Sequence, residues 1–319
     1  MSEDLFGTPR EAEKTANLAA RGFPLNVLLN KTGLRAGWRL LIYGAIFLML
    51  WAVSIFLLSQ LLRPSYGVFS PSYQFFGELA SFLAAFLAAW VMSQIETLPL
   101  GLYGLSVRSA FGKQFWIGCL FGLGEIFALI GAIAAFGGYS FGSLAEHGVA
   151  IAKWALFWGV FFVVVALFEE FFFRGYSLRT LADGIGFWPA AILLAVSFGL
   201  VHKANSGENW VGVAGVVLVG LFWSFTLKRT ESLWFALGMH ATFDFGETFL
   251  FSVPDSGMIF PGHLSNATLH GPNWLTGGAP GPEASVIDFL ILAVFFFLFD
   301  RCYPARPEER YVPPSNQDF

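Results

Sequence analysis

Trp154-Ala-Leu-Phe-Trp-Gly-Val-Phe-Phe-Val-Val-Val-Ala-Leu-Phe168, followed at once by Glu169 and Glu170 and one turn later by Arg174, decides how this chain is read. Fifteen apolar residues in a row have the character of a helix inside lipid. Two carboxylates at the end of such a run are costly. Ionisable groups at membrane depth face a bundle interior or a wet cavity, and by default they mark a functional site. Two later apolar segments carry His202 and His240, the second with Asp244 one turn further on. Acids and histidines recurring at membrane depth suggest hydrolytic or metal chemistry within a bilayer.

The composition agrees with that setting. Hydrophobic residues make up 56 % of the chain and charged residues 13 %, where a soluble domain carries roughly 25 % charge. A net charge of -4 argues against a nucleic-acid partner. Cys119 and Cys302 lie far apart and fit neither a disulfide framework nor a metal spacing. Residues 1–36 are polar and mixed in charge, without the basic start, apolar core and cleavage site of a secretory signal; they are expected to form a soluble tail. The membrane domain is expected over 37–300. Residues 301–319, rich in Pro, Glu and Arg, read as a second soluble tail.

A helix needs about 20 apolar residues to cross the bilayer core. Eight segments qualify, at 38–62, 73–95, 114–137, 151–180, 187–202, 209–227, 232–251 and 284–300. The expected fold is all-α, a polytopic helical bundle. With both termini placed in the cytoplasm, fifteen Lys and Arg fall inside and only Arg63, Lys153 and Lys203 outside, the bias that orients membrane proteins. Seven or nine spans break that alternation. The expected location is the plasma (inner) membrane, multi-pass, with residues 252–283 forming a long outer connection.

Helix rise, ~1.5 Å per residue, converts sequence into depth. It puts Glu169 about 8 Å above the inner boundary, with Arg174 near that boundary and able to snorkel. His240 falls roughly 12 Å deep and Asp244 about 18 Å. His202, at roughly 20 Å, fits this level poorly unless its helix tilts. Glu170 and Arg174 are four apart with the acid first, the favourable order for an ion pair. They are expected to brace the helix, while Glu169 points about 100° away and joins His202, His240 and Asp244 around one polar pocket. Glu78, Glu125 and Asp288 read as interhelical hydrogen-bonding groups facing a cavity; His147, His263 and His270 read as loop residues.

A partly desolvated carboxylate is a useful general base for water attacking a peptide carbonyl, and a neighbouring histidine can orient that water or stabilise the oxyanion. Alternatively, His202, His240 and a carboxylate such as Asp244 hold a zinc ion that activates water. No HExxH motif is present, so such a site would be assembled across helices.

Glu169-Glu170-Phe-Phe-Phe-Arg174-Gly175 resembles the EExxxRG motif of the CAAX-prenyl-endopeptidase and bacteriocin-processing (CPBP) family of intramembrane proteases. Phe198-Gly-Leu-Val-His202 resembles its FxxxH motif, and His240-Ala-Thr-Phe-Asp244 its HxxxN or HxxxD motif. Thr230-Glu-Ser-Leu-Trp234 also fits. The resemblance covers about 150–250 and implies an eight-helix bundle with a cavity open to the cytoplasm. It implies Glu169 as general base, His202 as its partner in activating water, and His240 with Asp244 on the oxyanion side; Glu170 and Arg174 complete the set. Many members carry Asn where this chain has Asp244, and an ionised Asp cannot donate to an oxyanion. That departure favours metal binding or histidine orientation for Asp244. The expected substrate is a membrane-associated peptide or protein. The rival reading is a non-catalytic membrane protein for binding, immunity or scaffolding that retains the same fold.

Overall fold

A computed structural model of the chain describes residues 28–305, apart from 31, 32 and 66. Most of the first expected tail and residues 306–319 of the second therefore lie outside the described residues. A long helical series dominates: α1 (Ala36–Leu62), α2 (Pro71–Glu96), α3 (Lys113–Ala135), α4 (Val149–Glu170), α5 (Leu178–Ile185), α6 (Phe187–His202), α7 (Trp210–Thr230), α8 (Trp234–Phe245), the short α9 (Asn273–Thr276) and α10 (Val286–Cys302). The strands are two-residue pieces: β1 (Leu29–Asn30) pairs with β2 (Gly33–Leu34), and β3 (Tyr139–Ser140) with β4 (Thr268–Leu269), both antiparallel.

The molecule is a polytopic helical bundle, and each of the eight expected segments falls on a helix. Among the described residues, five helices are long and apolar enough to cross a membrane: α1, α2, α3, α7 and the continuous Val149–Ile185 unit. The helix Phe187–His202 has 16 residues and spans ~24 Å. The α8 segment, with its extension to Leu250, and α10 are also short. A hydrocarbon core is ~30 Å thick, so length alone does not carry these three across it.

Lipid is as apolar as leucine, so burial of apolar surface does not draw such helices together; close van der Waals contact and buried polar bonds do. Small residues supply the contact. On α3 the sequence Gly118-Cys-Leu-Phe-Gly122 faces α8: a Cβ at Gly118 would lie 2.1 Å from the Phe235 carbonyl oxygen, and one at Gly122 would lie 2.2 Å from that of Met239. Gly238 returns the contact against the Phe115 carbonyl oxygen, also at 2.1 Å. The two backbones touch, which fixes the height and rotation of the helix bearing His240. Ala84, Ala85, Ala88 and Ala89 form a second small, buried stripe on α2. Large apolar side chains such as Leu41, Leu48, Phe56 and Leu57 on α1 remain exposed, as suits a surface solvated by lipid.

The two ends of the bundle differ. At one end Arg39 pairs with Glu96 and, at 3.1 Å, with Asp183. Trp234 Nε1 donates to the Ser106 carbonyl at 2.9 Å, and Arg229 pairs with Asp300 at 2.5 Å. Most of the basic residues gather there. At the other end the 251–285 connection folds over the bundle. Its Ser256 carbonyl accepts from Asn205 at 2.9 Å, Phe260 packs on Phe69 and Trp158, and β4 pairs with β3.

Candidate active site

Glu169 and Glu170 end α4, but the helix does not end with them. It widens into a π turn over Phe171–Ser177 and then resumes as α5. The expectation of an ordinary α-helix to about residue 180 is corrected here: the rod runs to Ile185 and reverses at Gly186, whose φ of 84° suits glycine. α6 climbs back from that reversal. Glu169 stands 17 residues before Gly186 and His202 stands 16 after it, so the two reach similar heights. The poor fit of His202 in depth came from ending the fourth helix too early.

Arg174 is also displaced from its expected place. It does not snorkel at a boundary; its side chain is only 1 % exposed, and Nη1 lies 3.1 Å from Glu170 Oε1. Its guanidinium sits 4.3 Å from the Phe198 ring centroid and 5.4 Å from that of Trp223. Glu170 does more than brace its own helix. Its Oε1 also lies 3.1 Å from His240 Nδ1, tying α4 to α8.

His240 is the hub. Nδ1 faces Glu170, while Nε2 lies 3.2 Å from Asp244 Oδ2 and 3.6 Å from Glu169 Oε2. Whichever nitrogen carries the proton has an acceptor, and an imidazolium satisfies both sides at once. Trp223 stacks on the ring at 4.3 Å and 18°, holding its plane. His202 Nδ1 lies 2.9 Å from the Phe198 carbonyl. A carbonyl only accepts, so Nδ1 carries the hydrogen, and Nε2 of the neutral ring is left as an acceptor.

Glu169, His202, His240 and Asp244 line one cavity of about 270 Å³, together with Phe198 and Trp223. The Glu169 side chain is 20 % exposed, against 0 % for Glu170. Glu78, Glu125 and Asp288, expected to face a cavity, line this same one. The sequence reading missed Asp255 and Glu283, which reach the cavity from the long connection. It also missed Trp223 and the Gly118, Gly122 and Gly238 contacts. The spacing of Gly118 and Gly122 was a readable signal for close helix packing; nothing local marks Trp223.

For the zinc alternative, His202 keeps Nε2 available as a donor to the metal, because Nδ1 bonds to its own helix. Among the described residues, no group of three His, Cys, Asp or Glu is arranged to hold a metal ion. His240 has both nitrogens against carboxylates. The cysteines are free, Cys119 buried and Cys302 exposed.

Residues 151–246 match the family model of the Rce1-like type II CAAX prenyl endopeptidases. That span holds all six motif residues, from Glu169 to Asp244. Over that stretch the chain is similar to the CAAX-protease (CPBP) family. No curated protein matches it. That similarity, together with the apolar helices, supports a multi-pass membrane protein and a protease-like core over 151–246.

Proposed function

We propose that the chain hydrolyses a peptide bond of a membrane-associated peptide or protein, with Glu169 as general base. A water bound between Glu169 and Nε2 of His202 gives its proton to Glu169 as its oxygen bonds to the carbonyl carbon. The carbonyl π electrons move to the oxygen. His240, clasped between Glu170 and Asp244, supplies positive charge beside that oxyanion. On collapse the C–N bond breaks, and Glu169 returns the proton to the leaving nitrogen. Asp244 orients His240 in this scheme, in keeping with an acid rather than an amide at that position. No metal takes part in it.

The observation that carries this reading is the division of labour between adjacent acids. Glu170 is sealed and bonded to Arg174 and His240. Each of the two acids has an Oε2 without a hydrogen-bond partner, but of the pair it is Glu169 that lines the cavity with His202. The test is Glu169→Gln, which keeps shape and removes basicity. Cleavage of membrane-associated peptides, compared in cells carrying either form, is expected to fall by about 10²–10⁴-fold at unchanged protein level. Retained cleavage ends the general-base scheme; retained cellular function without any cleavage favours the binding or scaffold reading.

The approach route is part of the proposal. The cavity lies beneath the 251–285 connection, at the end opposite the basic one. The charge bias puts that connection outside, whereas the family resemblance implied a cytoplasmic opening; on this structure the two expectations pull apart. We place the opening on the outer face, because the basic residues cluster at the far end. A membrane-impermeant maleimide applied to intact cells is expected to label Ser256→Cys in a Cys302→Ser background. Labelling only after the cells are broken reverses the orientation.

A further inference from the structure

The cavity has a second wall that the hydrolytic scheme leaves unused. Glu125 from α3 and Asp288 from α10 meet Asp255 and Glu283 from the connection around the same space as Glu169. Among the described residues, no lysine or arginine lines it. Glu125 is 2 % exposed and Asp288 6 %. Asp288 Oδ1 and Glu283 Oε1 have no hydrogen-bond partner, while Asp255 Oδ2 accepts from Thr248 at 3.1 Å. Behind them Glu247 is fully buried with neither oxygen bonded.

Buried carboxylates without partners are unfavourable in the empty protein. An anion is repelled by such a wall, and a neutral donor bonds its oxygens but leaves their charge uncompensated. A divalent metal needs oxygens already grouped around a point, and no such group exists among the described residues. An ammonium or guanidinium fits better: it brings three or five N–H donors to separate acceptors. The volume, about 270 Å³, is small beside drug-sized pockets of roughly 300–1,000 Å³, so it suits a side chain next to a reacting bond.

We propose that Glu125, Asp255, Glu283 and Asp288 form a subsite for a lysine or arginine side chain of the substrate, flanking the peptide bond presented to Glu169. This rests on the endopeptidase reading for its position, but not for its charge preference.

The test measures binding apart from cleavage. Purified full-length Glu169→Gln protein in nanodiscs is titrated with fluorescein-labelled Ala/Leu decapeptides that differ at one central residue, Arg, Gln or Glu. The Arg peptide is expected to bind at least about tenfold tighter than the Gln peptide, and the Glu peptide weakest. Adding Asp288→Asn or Glu283→Gln is expected to erase the preference; the latter, in a loop, serves if the former fails to fold. Equal binding of Arg and Gln peptides, absence of Arg-peptide binding, or a preference that survives both substitutions overturns the subsite. So does thermal stabilisation by Ca²⁺, Mg²⁺ or Zn²⁺ that Asp288→Asn abolishes while the peptides go undiscriminated, which marks a metal site. Wild-type protein that cleaves none of the peptides while Glu169→Gln prefers Arg keeps the subsite and counts against the protease. Glu169-dependent cleavage of Arg and Gln peptides alike does the reverse.

Discussion

The two ends of the bundle treat their polar groups differently. At the basic end Arg39 bridges Glu96 and Asp183, and the Tyr176 hydroxyl donates to Glu96 at 2.5 Å. Tyr43 stacks on Tyr176 at 4.4 Å and Tyr103 meets it edge-on, so rings wall off a closed, neutralised cluster. At the cavity end, only the floor is closed in this way, by Arg174 between Glu170 and two aromatic rings. The wall above it is acid upon acid, without a cation. Charges that find partners inside the chain hold the fold together. Those left without partners mark where something else binds, and the fold bears that cost in the meantime.

Removing a cation from a closed cluster is the sharpest test of this contrast. Arg174→Ala leaves Glu170 buried with His240 as its remaining partner, and a loss of about 3–5 kcal/mol is expected, read as a lower melting temperature and a collapse of folded yield. Normal yield with lost activity would move Arg174 into the chemistry. Arg39→Ala, where side chains are 12 % and 10 % exposed, is expected to cost about 1.5–3 kcal/mol in the same assay, with cleavage kept in the protein that folds. In the acid wall the sign reverses. Glu125→Gln is expected to stabilise by roughly 0.5–2 kcal/mol while weakening substrate binding; a destabilisation of the Arg39 kind would show that Glu125 is a structural partner and erase the contrast.

The smallest effect concerns pH. Burial, and then the charge of Asp244, hold the Asp255 carboxyl well above its ordinary range, and burial and Asp255 do the same for Glu283. Each binds its proton more tightly folded than unfolded. The stability this adds is complete below the ordinary carboxylate range and declines as pH rises through the raised values. Amide exchange in the 251–285 connection is therefore expected to quicken with rising pH beyond its intrinsic pH dependence. A connection that tightens as pH rises would contradict the uncompensated charge assigned to it.

Much of this was legible in the chain because a membrane makes polar residues conspicuous. Glu169, His202, His240 and Asp244 each interrupt an apolar run, and helix spacing alone put His240 and Asp244 on one face. Depth was less legible. The 3.6-residue period has no means of announcing a π turn, so the fourth helix was ended too early and Arg174 was assigned to a boundary instead of the cavity floor. The link from Glu170 to His240 joins residues 70 apart and depends on how closely α3 and α8 approach. Asp255 and Glu283 lie in a Pro- and Gly-rich connection, where polar residues are ordinary and no periodicity says which point inward.

The widened turn at Phe171–Ser177 has a twin at Gly246–Leu250, just past Asp244. A π turn holds one residue more than an α turn, so it acts as a phase shifter in an otherwise rigid rod. Upstream, Glu169 and Glu170 keep the direction set by α4; within the turn, Tyr176 is aimed at Glu96, and in the twin Glu247 is swung into the interior. Deleting a single phenylalanine from 171–173 would let the rod relax to uniform pitch and keep nearly the present direction of everything beyond it, because the wide turn absorbs one extra residue. Two helices are thus each two independently aimed halves, and the chemistry sits where the aim changes.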